Sequence, residues 1–144
     1  MDTRSKSLAW AGARALVEQA RPPLVTGHFD PLTAGHARRL AALAETHGPL
    51  FVLITEPPDP VLPAAARAHL VAALACVQCV MLAPPEGPEA VLAAFPPERV
   101  LRGEEADLEL REALQSHVRA RHAQSAAIPG EAAPGGAEPD KEDS

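Results

Sequence analysis

Thr26-Gly27-His28-Phe29-Asp30-Pro31-Leu32-Thr33-Ala34-Gly35-His36 is the stretch that decides how this chain of 144 residues folds. An apolar run, Leu24 to Thr26, leads into it. Ala37-Arg38-Arg39-Leu40-Ala41-Ala42-Leu43 follows with apolar residues at helical spacing, so the whole reads as strand, turn and helix. A helix that opens at such a turn aims unpaired backbone N–H groups and its positive dipole end above the strand, which favours an anion such as phosphate. Gly27 and Gly35 permit close backbone approach, and Thr33 and His36 add donors on one face of the opening turn.

Working outward, the same alternation continues. Ser5 to Ala20 has the apolar spacing of a leading helix, ended by Arg21-Pro22-Pro23. Gly48-Pro49 breaks the helix that follows the turn, and Leu50 to Thr55 is a continuous apolar run suited to a parallel strand covered on both faces. A helix over Ala64 to Ala75, a strand over Val77 to Leu82, a short helix over Pro88 to Ala94, a strand over Arg99 to Leu101 and a last helix over Asp107 to Ala123 complete the pattern. Strands alternating with helices imply an α/β fold, a Rossmann-like three-layer α/β/α arrangement on a parallel sheet. Its binding site belongs at the carboxyl ends of the strands, where strand order reverses. Residues 1–124 are expected to form one domain. Ser125 to Ser144, rich in Ala, Gly, Pro and acids, is expected to be a disordered tail.

Composition narrows the function classes. The formal net charge is −6, which argues against a nucleic-acid surface, although the tail holds five acids against one lysine and leaves the rest near neutral. Cys76 and Cys79 have the Cys-x-x-Cys spacing but no second ligand pair, and read as two core thiols rather than a zinc or redox centre. The N-terminus is polar and no apolar run approaches ~18 residues, so neither a signal peptide nor a membrane span is expected. His47, His69, His117 and His122 have no partner at metal-ligand spacing, and no metal-binding residues are expected.

The pattern Gly-x-Phe-Asp-Pro-Leu-Thr-x-Gly-His resembles the T/H-x-G-H signature of the cytidylyltransferase-like nucleotidyltransferases, with Thr33 in the first motif position. The likeness extends from about Ala9 to about Leu110 and is nearest to the nucleotidyltransferase domain of ADP-heptose synthases and to glycerol-phosphate cytidylyltransferases. Arg67-Ala68-His69-Leu70-Val71-Ala72-Ala73-Leu74 is similar to the family's Arg-x-x-x-Leu-x-x-Leu helix. Cys76-Val77-Gln78-Cys79-Val80 stands where the family has a strand associated with dimer contacts, and Val100-Leu101-Arg102-Gly103-Glu104-Glu105 where it reads Val-Leu-Val-Lys-Gly-Gly-Asp.

That resemblance implies roles. His36 and Thr33 would donate to the phosphates of ATP or CTP as the catalytic pair, and the backbone of Gly27, His28 and Phe29 would cradle the same phosphates. Asp30 and Gly35 belong to the same nucleotide-binding loop. Arg102 and Gly103 would border the nucleotide, Glu105 would contact the exocyclic amine of its base, and Arg67 would bind the acceptor or triphosphate phosphates. Mg²⁺ would bridge the phosphates. Read from the residues alone, His28 is equally a neutral turn residue, Asp30 equally a turn residue bonding to backbone N–H groups, and Arg38 and Arg39 a solvated helix face.

The implied reaction transfers a nucleotidyl group to a phosphorylated small molecule, a sugar or polyol phosphate, with release of pyrophosphate. The implied setting is a cytoplasmic homodimer with no nucleic-acid or membrane partner. Two departures support an alternative. Glu56 to Pro63 is short and acidic where the family has a longer loop bearing a lysine, and the chain's only lysines are Lys6 and Lys141. The family's Ser/Thr-rich turn near the C-terminus has no counterpart. A catalytically degenerate member, acting as a nucleotide-binding or dimerising module, would show these losses.

Overall fold

The computed structural model describes residues 3–127, with the side chains of residues 5–124. After a 3-10 turn at Thr3–Lys6, the elements are β1 (Ser7–Leu8), α1 (Trp10–Ala20), β2 (Leu24–Gly27), α2 (Ala34–His47), β3 (Leu50–Ile54), α3 (Ala64–Ala72), β4 (Val77–Leu82), α4 (Glu89–Ala93), β5 (Val100–Arg102) and α5 (Glu104–Ala127). The chain divides into one unit over Met1–Arg111 and another over Glu112–Ser144, of which the described part is the remainder of α5. Residues 125–127, expected to open the tail, belong to α5, and the rest of the expected tail, from residue 128 onward, lies outside the described residues.

All five strands are parallel, in the order β1-β4-β3-β2-β5. The chain builds β2, β3 and β4 outward in one direction, then crosses back to lay β5 on the other side of β2. Strand order therefore reverses between β2 and β5, where Thr26 is paired with Arg102. The crevice that such a reversal opens is the usual ligand position in this architecture.

Side chains alternate between two cores, one on each sheet face. Leu50, Val52 and Ile54 of β3 join Val25, Leu40, Ala68 and Val71 on the face covered by α2 and α3. Phe51 and Leu53 join Leu24, Ala13, Val17, Val91 and Phe95 on the face covered by α1 and α4. An irregularity in pairing at Leu50/Phe51 shifts the register, so Val77 and Val80, three apart, both face the first core. Cys79 belongs to the second core, while Cys76 packs against the first. The two thiols thus lie on opposite sides of the sheet and are both free. Burial pushes Cys79 up to about 11.

Several boundaries differ from the sequence reading. The expected leading helix begins at Trp10; Ser7 and Leu8 instead form an edge strand on Val80 and Met81. A two-residue strand is too short to display alternation, and it forms because β4 offers it a free edge. The Val77 to Val80 segment, associated by resemblance with dimer contacts, consequently lies inside the sheet, between β3 and β1. Helix α5 starts at Glu104, three residues before the expected Asp107. Glu104, Glu105 and Asp107 all fall in its first turn, where acids complement the positive end of the helix dipole.

Candidate functional site

The opening of α2 explains the Thr-x-Gly-His spacing. Thr33 is the N-cap and His36 the third helical residue, and they form a reciprocal capping box. The Thr33 N–H donates to His36 Nδ1 at 3.0 Å, and the His36 N–H reaches Thr33 Oγ1 at 3.4 Å. Histidine here does the work usually done by Glu or Gln. One chemical consequence follows from the network: Nδ1 is an acceptor, so the neutral imidazole carries its proton on Nε2. That nitrogen points away from the capping contact, and the ring is fixed further by Phe29, whose centroid is 5.4 Å away.

Gly27, His28, Phe29 and His36 converge at the carboxyl end of β2, and the partner they meet is Asp107 of α5. The His28 N–H donates to Asp107 Oδ2 at 2.6 Å, across 79 residues of sequence. Asp107 Oδ1 lies 2.7 Å from His36 Nε2. The ring N–H does not line up with that oxygen, so the contact is a close electrostatic pair rather than a formed hydrogen bond. Both atoms, and His28 Nδ1 as well, are buried without an aligned hydrogen-bond partner. His36 is 2% exposed, Asp107 4% and His28 7%. Gly27 is needed for this approach, because a Cβ there would sit 2.5 Å from Asp107 Oδ2 and 2.7 Å from the Phe29 ring. Gly35 likewise makes room for Leu110, which would stand 2.9 Å from a Cβ.

A second acid of the same helix turn closes the neighbouring strand ends. The Thr26 and Thr55 hydroxyls donate to the two oxygens of Glu104 at 2.8 and 3.0 Å. Burial alone would raise the Glu104 carboxyl. The hydrogen bonds from Thr26, from its own helix-start N–H and from Thr55, with the charge of Arg102, outweigh burial and hold the group below its ordinary value. Burial dominates at His28 and lowers it, against the nearby carboxylates of Asp107 and Glu104, which keeps the ring neutral at pH 7.

The remaining expected residues separate into three places. Gly103 is buried beside the strand end, donating its N–H to Thr26 O at 2.8 Å. Arg102 and Glu105 are exposed. Arg39 lies over Gly103, with a guanidinium nitrogen 2.7 Å from where a Cβ would be, and reaches the Arg102 carbonyl at 3.4 Å. The helix face read as merely solvated therefore delivers a cation to the mouth of the crevice.

Asp30 is buried and takes the Val61 and Leu62 N–H groups on its two oxygens, at 2.6 and 2.8 Å, so it organises the loop before α3 rather than its own turn. Arg67 was expected to face a phosphate and is instead 0% exposed. Its guanidinium donates to the carbonyls of Leu62, His28 and Thr55, each at 3.0 Å, and to Glu56 Oε1 at 2.7 Å. It is a strut that ties the ends of β2 and β3 to α3. Lys6, one of two lysines, is held by the Leu74 carbonyl at 3.0 Å; Lys141 lies outside the described residues.

The family profile described as cytidylyltransferase-like matches residues 24–134, well over half of the chain. The chain belongs to the cytidylyltransferase-like family. A comparison with curated proteins finds no match. Family membership, together with the five-stranded parallel sheet, supports nucleotidyl transfer as the general class of chemistry. The Thr33–His36 capping box and the Asp107 contact both lie within the matched region. Among the described residues no cluster of three or more His, Cys, Asp or Glu is placed to hold a metal ion. Nor is any described helix long and apolar enough to cross a membrane.

Two measurements check this account of the site. Arg67→Met leaves three carbonyls without a donor, each costing about 1–3 kcal/mol; denaturant unfolding should show a loss of about 3 kcal/mol or more. The folded Glu104 carboxyl titrates below its ordinary value of 4.5, so as the pH falls the unfolded chain takes up the proton first. The stability advantage of the native protein over Glu104→Gln should be full above that pH and shrink as the pH falls below it, read from unfolding curves across the acid range.

Proposed function

We propose that this chain transfers a nucleotidyl group from ATP or CTP to a phosphorylated small molecule, a sugar or polyol phosphate, with release of pyrophosphate. The observation that carries the reading is the tautomer imposed by the capping box. With Nδ1 accepting from Thr33, His36 holds its proton on Nε2 at the carboxyl end of β2, 2.7 Å from an acidic oxygen and beside the His28 N–H. A neutral donor and a backbone N–H converging on one anion position suit a phosphate whose charge grows during transfer.

In the reaction an oxygen of the acceptor phosphate attacks the α-phosphorus in line. The new P–O bond forms as the bond to the bridging α–β oxygen breaks, and the electron pair leaves with pyrophosphate. No protein nucleophile is needed, since positioning and charge stabilisation supply the acceleration. His36 Nε2–H and the His28 N–H would stabilise the phosphate oxygens, Thr33 would hold the His36 ring, and Arg39 and Arg102 would supply positive charge at the mouth. Gly103 would border the nucleotide, with Glu105 facing the base. Mg²⁺ would arrive as part of the nucleotide complex. The setting proposed is a cytoplasmic homodimer.

A second reading rests on two observations: Asp107 already sits on the His36 and His28 donors, and Arg67 is engaged inside the protein. It makes the chain a catalytically degenerate member that serves as a nucleotide-binding or dimerising module. Calorimetric titration with Mg·CTP and Mg·ATP, with pyrophosphate release measured on a panel of sugar and polyol phosphates, separates the two. The enzyme reading expects nucleotide binding, and turnover that His36→Ala reduces by about 10²–10³-fold, the scale for losing one donor to a developing oxyanion. Absence of binding for both nucleotides would remove the enzyme reading.

A further inference from the structure

We propose that Asp107 is a resident substitute for phosphate, and that the first two turns of α5 are a gate which must move its carboxylate out of the cradle before a nucleotide can bind. The proposal rests on the nucleotide reading of the same cradle and adds its regulation.

The contacts point this way for three reasons. First, the carboxylate occupies the place both donors face, bonded to the His28 N–H through Oδ2 and standing 2.7 Å from His36 Nε2 through Oδ1. A phosphate oxygen brought to the same donors would lie against a second anion, which is repelled strongly where water is excluded. Asp107 and a phosphate are alternatives.

Second, the occupation is imperfect. Asp107 Oδ1, His36 Nε2 and His28 Nδ1 are all buried yet lack an aligned hydrogen-bond partner. The Asp107 carboxylate, placed by its helix, aligns with the His28 N–H but not with His36 Nε2. A tetrahedral phosphate, free to orient, can complete what Asp107 leaves unmade. Unsatisfied buried polar groups are costly, so the seated state carries a built-in bias toward exchange.

Third, what holds the gate shut is local and separable from the cradle. Arg111, one turn beyond Asp107, donates to the carbonyls of Pro58 and Asp59 at 3.2 and 2.9 Å, and these bonds are solvent-exposed. Leu110 rests against Gly35, and Glu104 holds the Thr26 and Thr55 hydroxyls. The exposed Arg111 bonds are weak latches, while those of Glu104 are partly buried. If only a fraction of molecules has Asp107 displaced, the apparent affinity for a phosphate ligand falls by that fraction.

The test measures binding of inorganic pyrophosphate, and of Mg·CTP and Mg·ATP, to the full chain and to Asp107→Ala, Arg111→Ala and the double variant Asp107→Ala/His36→Ala, at one ionic strength and with thermal melts confirming folding. Asp107→Ala should bind pyrophosphate about tenfold or more tightly than the native protein, the scale of one competing charge-assisted contact. The double variant should lose that gain, and Arg111→Ala should show part of it. Equal or weaker pyrophosphate binding by a folded Asp107→Ala overturns the gate, as does absence of pyrophosphate binding to every protein. Should Asp107→Ala not fold, Arg111→Ala decides: tighter binding supports the gate and unchanged binding overturns it. A pyrophosphate gain without nucleotide turnover keeps the gate and removes the transferase reading. Turnover by the native protein with no gain in the variants does the reverse.

Discussion

A buried carboxylate must find donors, and at the carboxyl end of β2 the Asp107 carboxylate finds the His28 N–H and the edge of the His36 ring. This contact spans most of the fold, tying the loop after the first core strand to the helix after the last. Much else is arranged around it. Gly27 is bare so that the oxygen can approach, Phe29 walls the ring, and Thr33 fixes which imidazole nitrogen faces the acid. The acids in the first turn of α5 serve the helix dipole and the site together.

Around that contact stands a frame built to keep the strand ends still. Arg67 gathers the His28 and Thr55 carbonyls from α3, and Asp30 gathers the Val61 and Leu62 N–H groups from the following loop. These are interactions of charged groups with backbone, strong where water is excluded and demanding in geometry. They account for Asp30 and Arg67, two charged residues expected to serve ligands, being buried. The cations left at the surface of the crevice, Arg39 and Arg102, are held only by long or exposed contacts and are free to reorganise around a ligand.

The strand-turn-helix at Thr26 to His36 was legible because its signals are local: an apolar run, two glycines and helical spacing within one short stretch. The parallel sheet followed from alternation repeated along the chain, whereas the place of the reversal, beside β2, came only with the strand order β1-β4-β3-β2-β5. Other features depend on contacts that no local pattern announces. Ser7 and Leu8 form a strand only because β4 presents an edge. Arg67 carries a phosphate-binding side chain in a family-like helix, yet its partners are carbonyls from three separate segments. Asp107 looked like the start of a helix, and the relevant clue was subtler: three acids within the four residues after Gly103 push the start of α5 back to Glu104 and turn Asp107 inward. Apolar periodicity is blind to acids that begin a helix, and it set the boundary three residues late.

The central claim is that His36 presents an Nε2–H donor to an anion position at the end of β2. Long-range ¹H–¹⁵N correlation of the imidazole rings, recorded without ligand and then with Mg·CTP, Mg·ATP or pyrophosphate, tests it directly. The account predicts that His36 is the Nε2–H tautomer with Nδ1 as acceptor, and that a phosphate ligand shifts its Nε2 resonance. An Nδ1–H tautomer, or an Nε2 signal indifferent to saturating phosphate ligand, would contradict it.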